Sequence, residues 1–407
     1  MQDTNKKYGY VMLVILMLGT AVLYYSNLIF TVRMDTLQVF HMSPVQLAAI
    51  STIGGVPGAV LSIWVGNMLD RTEVKRFVGI SMALVVLCMV IRVFMTSYIG
   101  LLVTTVLIGT FLLPIIIVGP KMLGELFAPE DIPFAMGCYG AAGGMGTTLA
   151  FATGSLYPSV QAALAGVAVV GAVVLAGWIV FCKKTEKKDD SMAGQMPKGA
   201  FIRVVKSTAL WKTMLCGGFA VGSSIIINTS LVYGFMERGF DASLLGTVLN
   251  ISLIIGGIVS GIILGKIGRF NVPYLFMCIV GGGFYLAGWS VEPGTLSYIL
   301  FALAGLIASA TVGVNFTRVP LLYMTKQFDA EMTGAASGML QTALGIFQFV
   351  VPTAATAFAA TADGGTDYTL KFMMAFAALA IAGILGMFIP ELGVKGKLAQ
   401  SMEKKDI

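Results

Sequence analysis

Long stretches of this chain carry almost no charge, and that constrains what it can fold into. Apolar runs of about 20 residues, enough to cross roughly 30 Å of bilayer hydrocarbon as a helix, recur along its whole length. They lie near 9–31, 45–66, 77–96, 99–123, 135–157 and 160–182, then near 211–235, 244–265, 273–291, 296–323, 334–359 and 370–390. Only 11% of the 407 residues are charged and 57% are hydrophobic, whereas about a quarter are charged in a soluble domain; burial inside a water-soluble globule is therefore excluded. The runs do not alternate polar with apolar residues, so helices are expected over barrel strands, and a helix closes its hydrogen bonds within one segment. The expected fold class is an all-α membrane protein of 12 transmembrane helices in two pseudo-symmetric six-helix halves. The first run follows MQDTNKK, shows no cleavage site, and is read as retained.

Lysine and arginine set the orientation. Twenty-two of the twenty-six stand at the amino end, after even-numbered runs or in the carboxyl tail, leaving Arg33, Arg92, Arg238 and Lys371. Such charge stays on the cytoplasmic side, so a cytoplasmic membrane with both termini inside is expected, and no nucleic-acid partner is needed to explain the basic balance. The segment CKKTEKKDDSMAGQMPKGAFIRVVKSTALWK reads as a flexible linker. It separates an N-terminal half, 1–182, and a linker, 183–210, from a C-terminal half, 211–390, and a tail, 391–407. A weak repeat supports the division: Lys121 and Arg318 each stand sixteen positions before the first glycine of a small-residue run, Gly137 and Gly334. Paired halves of this kind suit a transporter in which one half rocks against the other.

One loop concentrates charge. GNMLDRTEVKR, Gly66 to Arg76, holds five charged residues directly after an uncharged run. Gly66, Leu69, Asp70, Arg71 and Arg76 resemble the pattern G-x-x-x-D-R-x-x-x-(K/R)-(K/R) between the second and third helices of the major facilitator superfamily. In this chain TEVKR replaces the common xGRR, and the counterpart after the eighth run, GKIGRFN, lacks the acid. The resemblance implies a gate in which Asp70 faces the amino terminus of the eleventh helix while Arg71 and Arg76 pair with Glu125 or Glu130. The residues are also read as fixing topology. LPIIIVGPKMLGELF followed by GCYGAAGGMG is similar to the nitrate/nitrite and cyanate porter branches. Nitrate porters carry an arginine in the second and eighth helices, near where this chain has Ser62 and Ser260, which disfavours nitrate.

No Asp or Glu lies in the middle of a run, which argues against a carboxylate proton relay. Arg92, Lys121 and Arg318 are the cationic candidates. Lys121 and Arg318, from corresponding positions of the two halves, would clamp an anion; the alternative is that they snorkel to the headgroups. Tyr24, Tyr25, Asn27, Asn228, Asn315 and Gln341 are neutral candidates that bind solute or tie neighbouring helices. Asn27 and Asn228 are the preferred pair, because the first and seventh helices face one another in the resembling fold. The expected function is secondary transport of a small anionic solute by a monomer in the lipid bilayer, with protons as candidate coupling ion and no cofactor. Efflux of a neutral amphiphile is the alternative. A membrane enzyme is disfavoured because no His or acidic cluster within the runs could hold a metal or act as base, and a receptor or scaffold because sizeable soluble loops are lacking. The five cysteines and the glycine clusters read as packing residues, and His41 as a surface residue.

Overall fold

The computed structural model describes residues 2–29, 35–42, 46, 50, 53–154, 156–183, 200–240, 243–361 and 366–396, and nearly all of them are helical. The long helices in chain order are α1 (Gln2–Leu28), α2 (Val56–Arg71), α3 (Val74–Val93), α4 (Tyr98–Leu126), α5 (Ile132–Gly154), α6 (Val160–Phe181) and α7 (Thr208–Glu237). They continue as α8 (Ser243–Ile267), α9 (Asn271–Ser290), α10 (Thr295–Ala308), α11 (Ala310–Leu321), α12 (Thr333–Phe358) and α13 (Tyr368–Met387). Among the described residues, ten stretches are long and apolar enough to cross a membrane. The other two of the twelve expected spans are α2, with 16 described residues, and α5, whose glycines dilute its hydropathy. The tenth span comprises α10 and α11, whose backbone stays helical through Ser309 (φ −57°, ψ −31°). Arg33, most of the linker and the end of the tail lie outside the described residues.

The chain forms two compact units that exchange short segments between the sequence halves. One comprises Met1–Leu126, Ala142–Val205 and Glu331–Thr342; the other comprises Phe127–Ala141, Lys206–Ala330 and Ala343–Ile407. In the first, α1, α3, α4 and α6 pack together and α2 lies on α4. Glycine permits the closest crossings: a Cβ on Gly146 of α5 would collide with the carbonyl of Ala21 in α1. Trp178, wholly buried, donates its indole N–H to the Lys75 carbonyl at 3.1 Å and ties α6 to the start of α3.

In the second unit α13 packs on both α7 and α9, and α10 packs between α8 and α9. An aromatic cluster closes one end. Trp289 stacks on Phe372 at 4.8 Å, Phe235 meets Trp289 edge-on at 5.4 Å, and the Arg238 guanidinium lies 3.5 Å over the Trp289 ring. The opposite helix ends are capped by side chains distant in sequence. The Glu391 carboxylate accepts from the Phe270 and Asn271 N–H groups at 2.8 and 3.1 Å at the start of α9. Gln327, after the left-handed Lys326 (φ 57°), accepts from the Ser207 hydroxyl at 2.6 Å and the Ala209 N–H at 3.3 Å at the start of α7. All five cysteines are buried and free.

The Gln327 cap satisfies a donor that the first turn of a helix leaves open. Gln327→Ala should therefore destabilise the second unit by about 1 kcal/mol, read as a lower melting temperature of the purified protein, with Gln327→Glu falling between the two.

Candidate functional site

Four small residues let two helices from opposite halves of the sequence touch backbone to backbone within the first unit. Ser62 and Gly66 stand one turn apart on α2, and Gly334 and Gly338 one turn apart on α12. A Cβ on Gly66 would collide with the Gly334 carbonyl, and one on Gly338 with the Ser62 carbonyl. The contact carries the end of α2 to the amino terminus of α12, where N–H groups lack intrahelical partners and the helix dipole is positive. Asp70 fills that position. Its Oδ1 accepts from Gly334 N–H at 2.9 Å, its Oδ2 from Ala335 N–H at 2.7 Å, and Lys121 Nζ of α4 lies 2.6 Å from Oδ1. The carboxylate is fully shielded from solvent.

The arginines expected to complete this lock do not pair with Glu125 or Glu130. Arg71 and Glu125 are exposed, and Arg76 instead meets Glu73, its neighbour across one turn, at 3.0 Å. That pair is 72% exposed on the arginine side and contributes little. A similar close contact without an acid forms in the second unit. A Cβ on Gly137 of α5 would collide with the Gly257 carbonyl of α8, and one on Gly265 would stand 2.6 Å from the Glu130 carbonyl.

Each buried cation has an internal role. Lys121 neither snorkels nor stands free to clamp an anion, because Asp70 takes its ammonium. Arg92 is wholly buried and holds three helices at one point, donating to the Ser26 carbonyl at 3.0 Å, the Ser26 hydroxyl at 3.1 Å and the Thr105 hydroxyl at 2.9 Å. Arg318, on α11, is wholly buried as well. It donates to Asn271 Oδ1 at 3.2 Å and Asn315 Oδ1 at 3.4 Å, and its guanidinium lies 4.5 Å over the Tyr274 ring. No carboxylate pairs with Arg318 among the described residues, and its Nε has no partner.

The neutral candidates divide into two kinds. Asn315 is buried and bonds Tyr274 and the Thr311 carbonyl, so it serves the Arg318 cluster. Asn228 is exposed and its amide bonds only the Ser224 carbonyl of its own helix, at 2.9 Å. Gln341 is half-buried on α12. On α1, Tyr24 is 42% exposed, Asn27 is half-buried, and the Tyr25 hydroxyl meets Thr153 at 2.7 Å and Tyr157 at 3.1 Å. The bond with Tyr25, aided by burial, pushes the Tyr157 phenol up to about 12, so this group stays neutral at physiological pH. In the second unit, the Ser309 hydroxyl bonds back to the Leu306 carbonyl at 3.3 Å where α10 gives way to α11.

Sequence reasoning missed Asn271 and Tyr274, the groups that solvate Arg318, because residues 44 to 47 positions earlier give no periodic signal. It also missed the partner that Lys121 takes, although Asp70 was in view. The pair gives a direct test. Lys121→Met should cost about 3 kcal/mol of stability, since it leaves the shielded Asp70 carboxylate without its cation. Adding Asp70→Asn should restore a large part of the lost melting temperature.

Comparisons with known proteins agree with this architecture. The family model for the Major Facilitator Superfamily matches residues 14–352. The solved structure of the E. coli fucose:proton symporter FucP superposes with TM-score 0.74 at 13% identity, over 94% of this chain and 99% of that one. The proton:xylose symporter XylE gives 0.75 at 13% identity over 98% and 99%, and the human organic anion transporter MFSD10 gives 0.72 at 13% over 94% and 99%. Among curated proteins, Sugar transporter ERD6-like 15 of Arabidopsis thaliana is 25% identical over 135 residues, 32% of this chain, and the match spans only 27% of that protein. With a family match over most of its length and the fold of that family's solved members, the chain belongs to the Major Facilitator Superfamily of membrane transporters.

Proposed function

We propose that this protein is a secondary transporter that carries a small, uncharged polar solute across the cytoplasmic membrane by alternating access. The observation that carries the reading is the Asp70 contact. A shielded carboxylate on the amino terminus of a helix from the other sequence half, beside backbones that touch through Ser62, Gly66, Gly334 and Gly338, makes a joint that separates without tearing side chains apart. Gly66, Asp70 and Lys121 act in this reading as the inner gate, with Arg71, Arg76 and Glu125 at its exposed rim. Both termini lie on the cytoplasmic side, as the lysine and arginine distribution requires. The transporter acts as a monomer, and protons are the candidate coupling ion, as they are in the fucose and xylose symporters that share its fold.

An uncharged solute is favoured over the anion expected from sequence because the three cations of that expectation each have partners inside the protein. Lys121 holds Asp70, Arg92 is wrapped by Ser26, Thr104 and Thr105, and Arg318 is sealed among Asn271, Asn315 and Tyr274. Tyr24, Asn27 and Gln341 of the first unit remain as neutral groups for the solute. One observation favours a second reading, transport of an organic anion: Arg318 has no carboxylate partner among the described residues.

Purified protein in liposomes, tested with labelled neutral sugars and organic anions with and without a pH gradient, separates the two. Uptake of a neutral sugar is expected; uptake confined to anions and lost in Arg318→Gln would establish the second reading. Gly338→Val should reduce uptake more than tenfold in protein that still folds, because its side chain props the joint open. Undiminished uptake in that variant would remove the gate.

A further inference from the structure

Threonines inside helices usually return their hydroxyl to the carbonyl one turn earlier, and most here do: Thr104, Thr105, Thr147, Thr213 and Thr317 donate to such carbonyls at 2.7 to 3.0 Å. Thr20 on α1 does not. It is 6% exposed and its hydroxyl has no hydrogen-bond partner. Nor does the buried Asn27 Oδ1 have one. Thr20, Tyr24 and Asn27 are spaced by four and three residues, so they share one face of α1. Tyr24 between them is 42% exposed. Its ring is held in place from α5, where a Cβ on Gly143 would stand 3.1 Å from the Tyr24 ring and one on Gly146 would stand 2.9 Å from Tyr24 Cβ. Unsatisfied polar groups inside a protein are disfavoured by about 1–3 kcal/mol each, so a face that carries two of them, Thr20 and Asn27, on either side of a half-open aromatic ring is built to be completed from outside.

We propose that the Thr20–Tyr24–Asn27 face of α1 is a binding subsite for a polyhydroxylated neutral solute, with Gly143 as a specificity-determining position that sets the plane of the Tyr24 ring. This deepens, and rests on, the transporter reading above. The chemistry follows from the groups present. A hydroxyl and a carboxamide each donate and accept, which matches sugar hydroxyls, and the ring offers an apolar surface to the C–H face of a pyranose. A carboxylate only accepts, so it would leave the Asn27 carbonyl oxygen unpaired, and residues 13–28 of α1 include no cation to balance its charge.

The experiment uses the full chain in liposomes, with counterflow of labelled D-xylose, L-fucose, D-glucose and D-glucuronate. Wild type is expected to carry at least one of the three neutral sugars and not glucuronate. Thr20→Val, nearly the same size, should raise the half-saturating concentration of that sugar about tenfold, a loss of about 1.4 kcal/mol, while Thr20→Ser stays within about twofold. Tyr24→Phe should retain uptake, whereas Tyr24→Ala and Gly143→Ala should weaken it at least fivefold, and melting temperatures identify any variant that merely misfolds. Sugar uptake with unchanged half-saturation in Thr20→Val and Tyr24→Ala would overturn the subsite and leave the transporter reading intact. Carriage of glucuronate alone, or of none of the four, would overturn the solute class as well.

Discussion

Asp70 can reach the N–H groups of Gly334 and Ala335 only because Gly66 and Gly334 have no side chains to keep two helices apart. Lipid tails provide no hydrophobic drive for helices to associate, so contact depends on close backbone approach and on polar groups that find partners across it. At this joint both conditions are met at once. The glycines supply the approach, and the carboxylate, helix dipole and Lys121 ammonium supply a charge-assisted network shielded from solvent. The corresponding contact of α5 with α8 has the approach without the acid, so the charged lock is one-sided.

A second constraint runs through both units. A cation inside a membrane protein must be solvated by the protein itself, and Arg92 and Arg318 are treated alike. Each is wholly buried, Arg92 beside hydroxyl and carbonyl groups and Arg318 beside amide and aromatic groups. They tie neighbouring helices together within a unit, Arg92 joining α1, α3 and α4, and Arg318 joining α9 and α11. In the proposed reading this leaves the solute-facing chemistry to neutral groups.

Helix positions could be read closely from the linear pattern, since a run of about 20 apolar residues has few alternatives. The observed ends of α3, α8, α9 and α13 fall within three residues of the runs that foretold them. The placement of Asp70 at the start of α12 was foreseeable from its loop pattern, because that arrangement follows from charge and a helix terminus. The partner of Lys121 was not, since sequence shows which residues are charged but not which two arrive together. Thr20 escaped notice for a related reason: among many intramembrane threonines, nothing in the letters marks those whose hydroxyls stay unpaired.

Ser62 lies inside the joint of α2 and α12, and Ser337 directly precedes Gly338 there; both are almost fully buried, and neither hydroxyl has a partner. Two dry hydroxyls stored at an interface make its closed form less comfortable than its packing alone would suggest, by about 1–3 kcal/mol each. Water entering as the helices part would relieve them, offsetting part of what is lost when the glycine backbones separate. In the proposed transport cycle the serines would act as a counterweight, narrowing the difference in free energy between shut and open so that neither form becomes a trap.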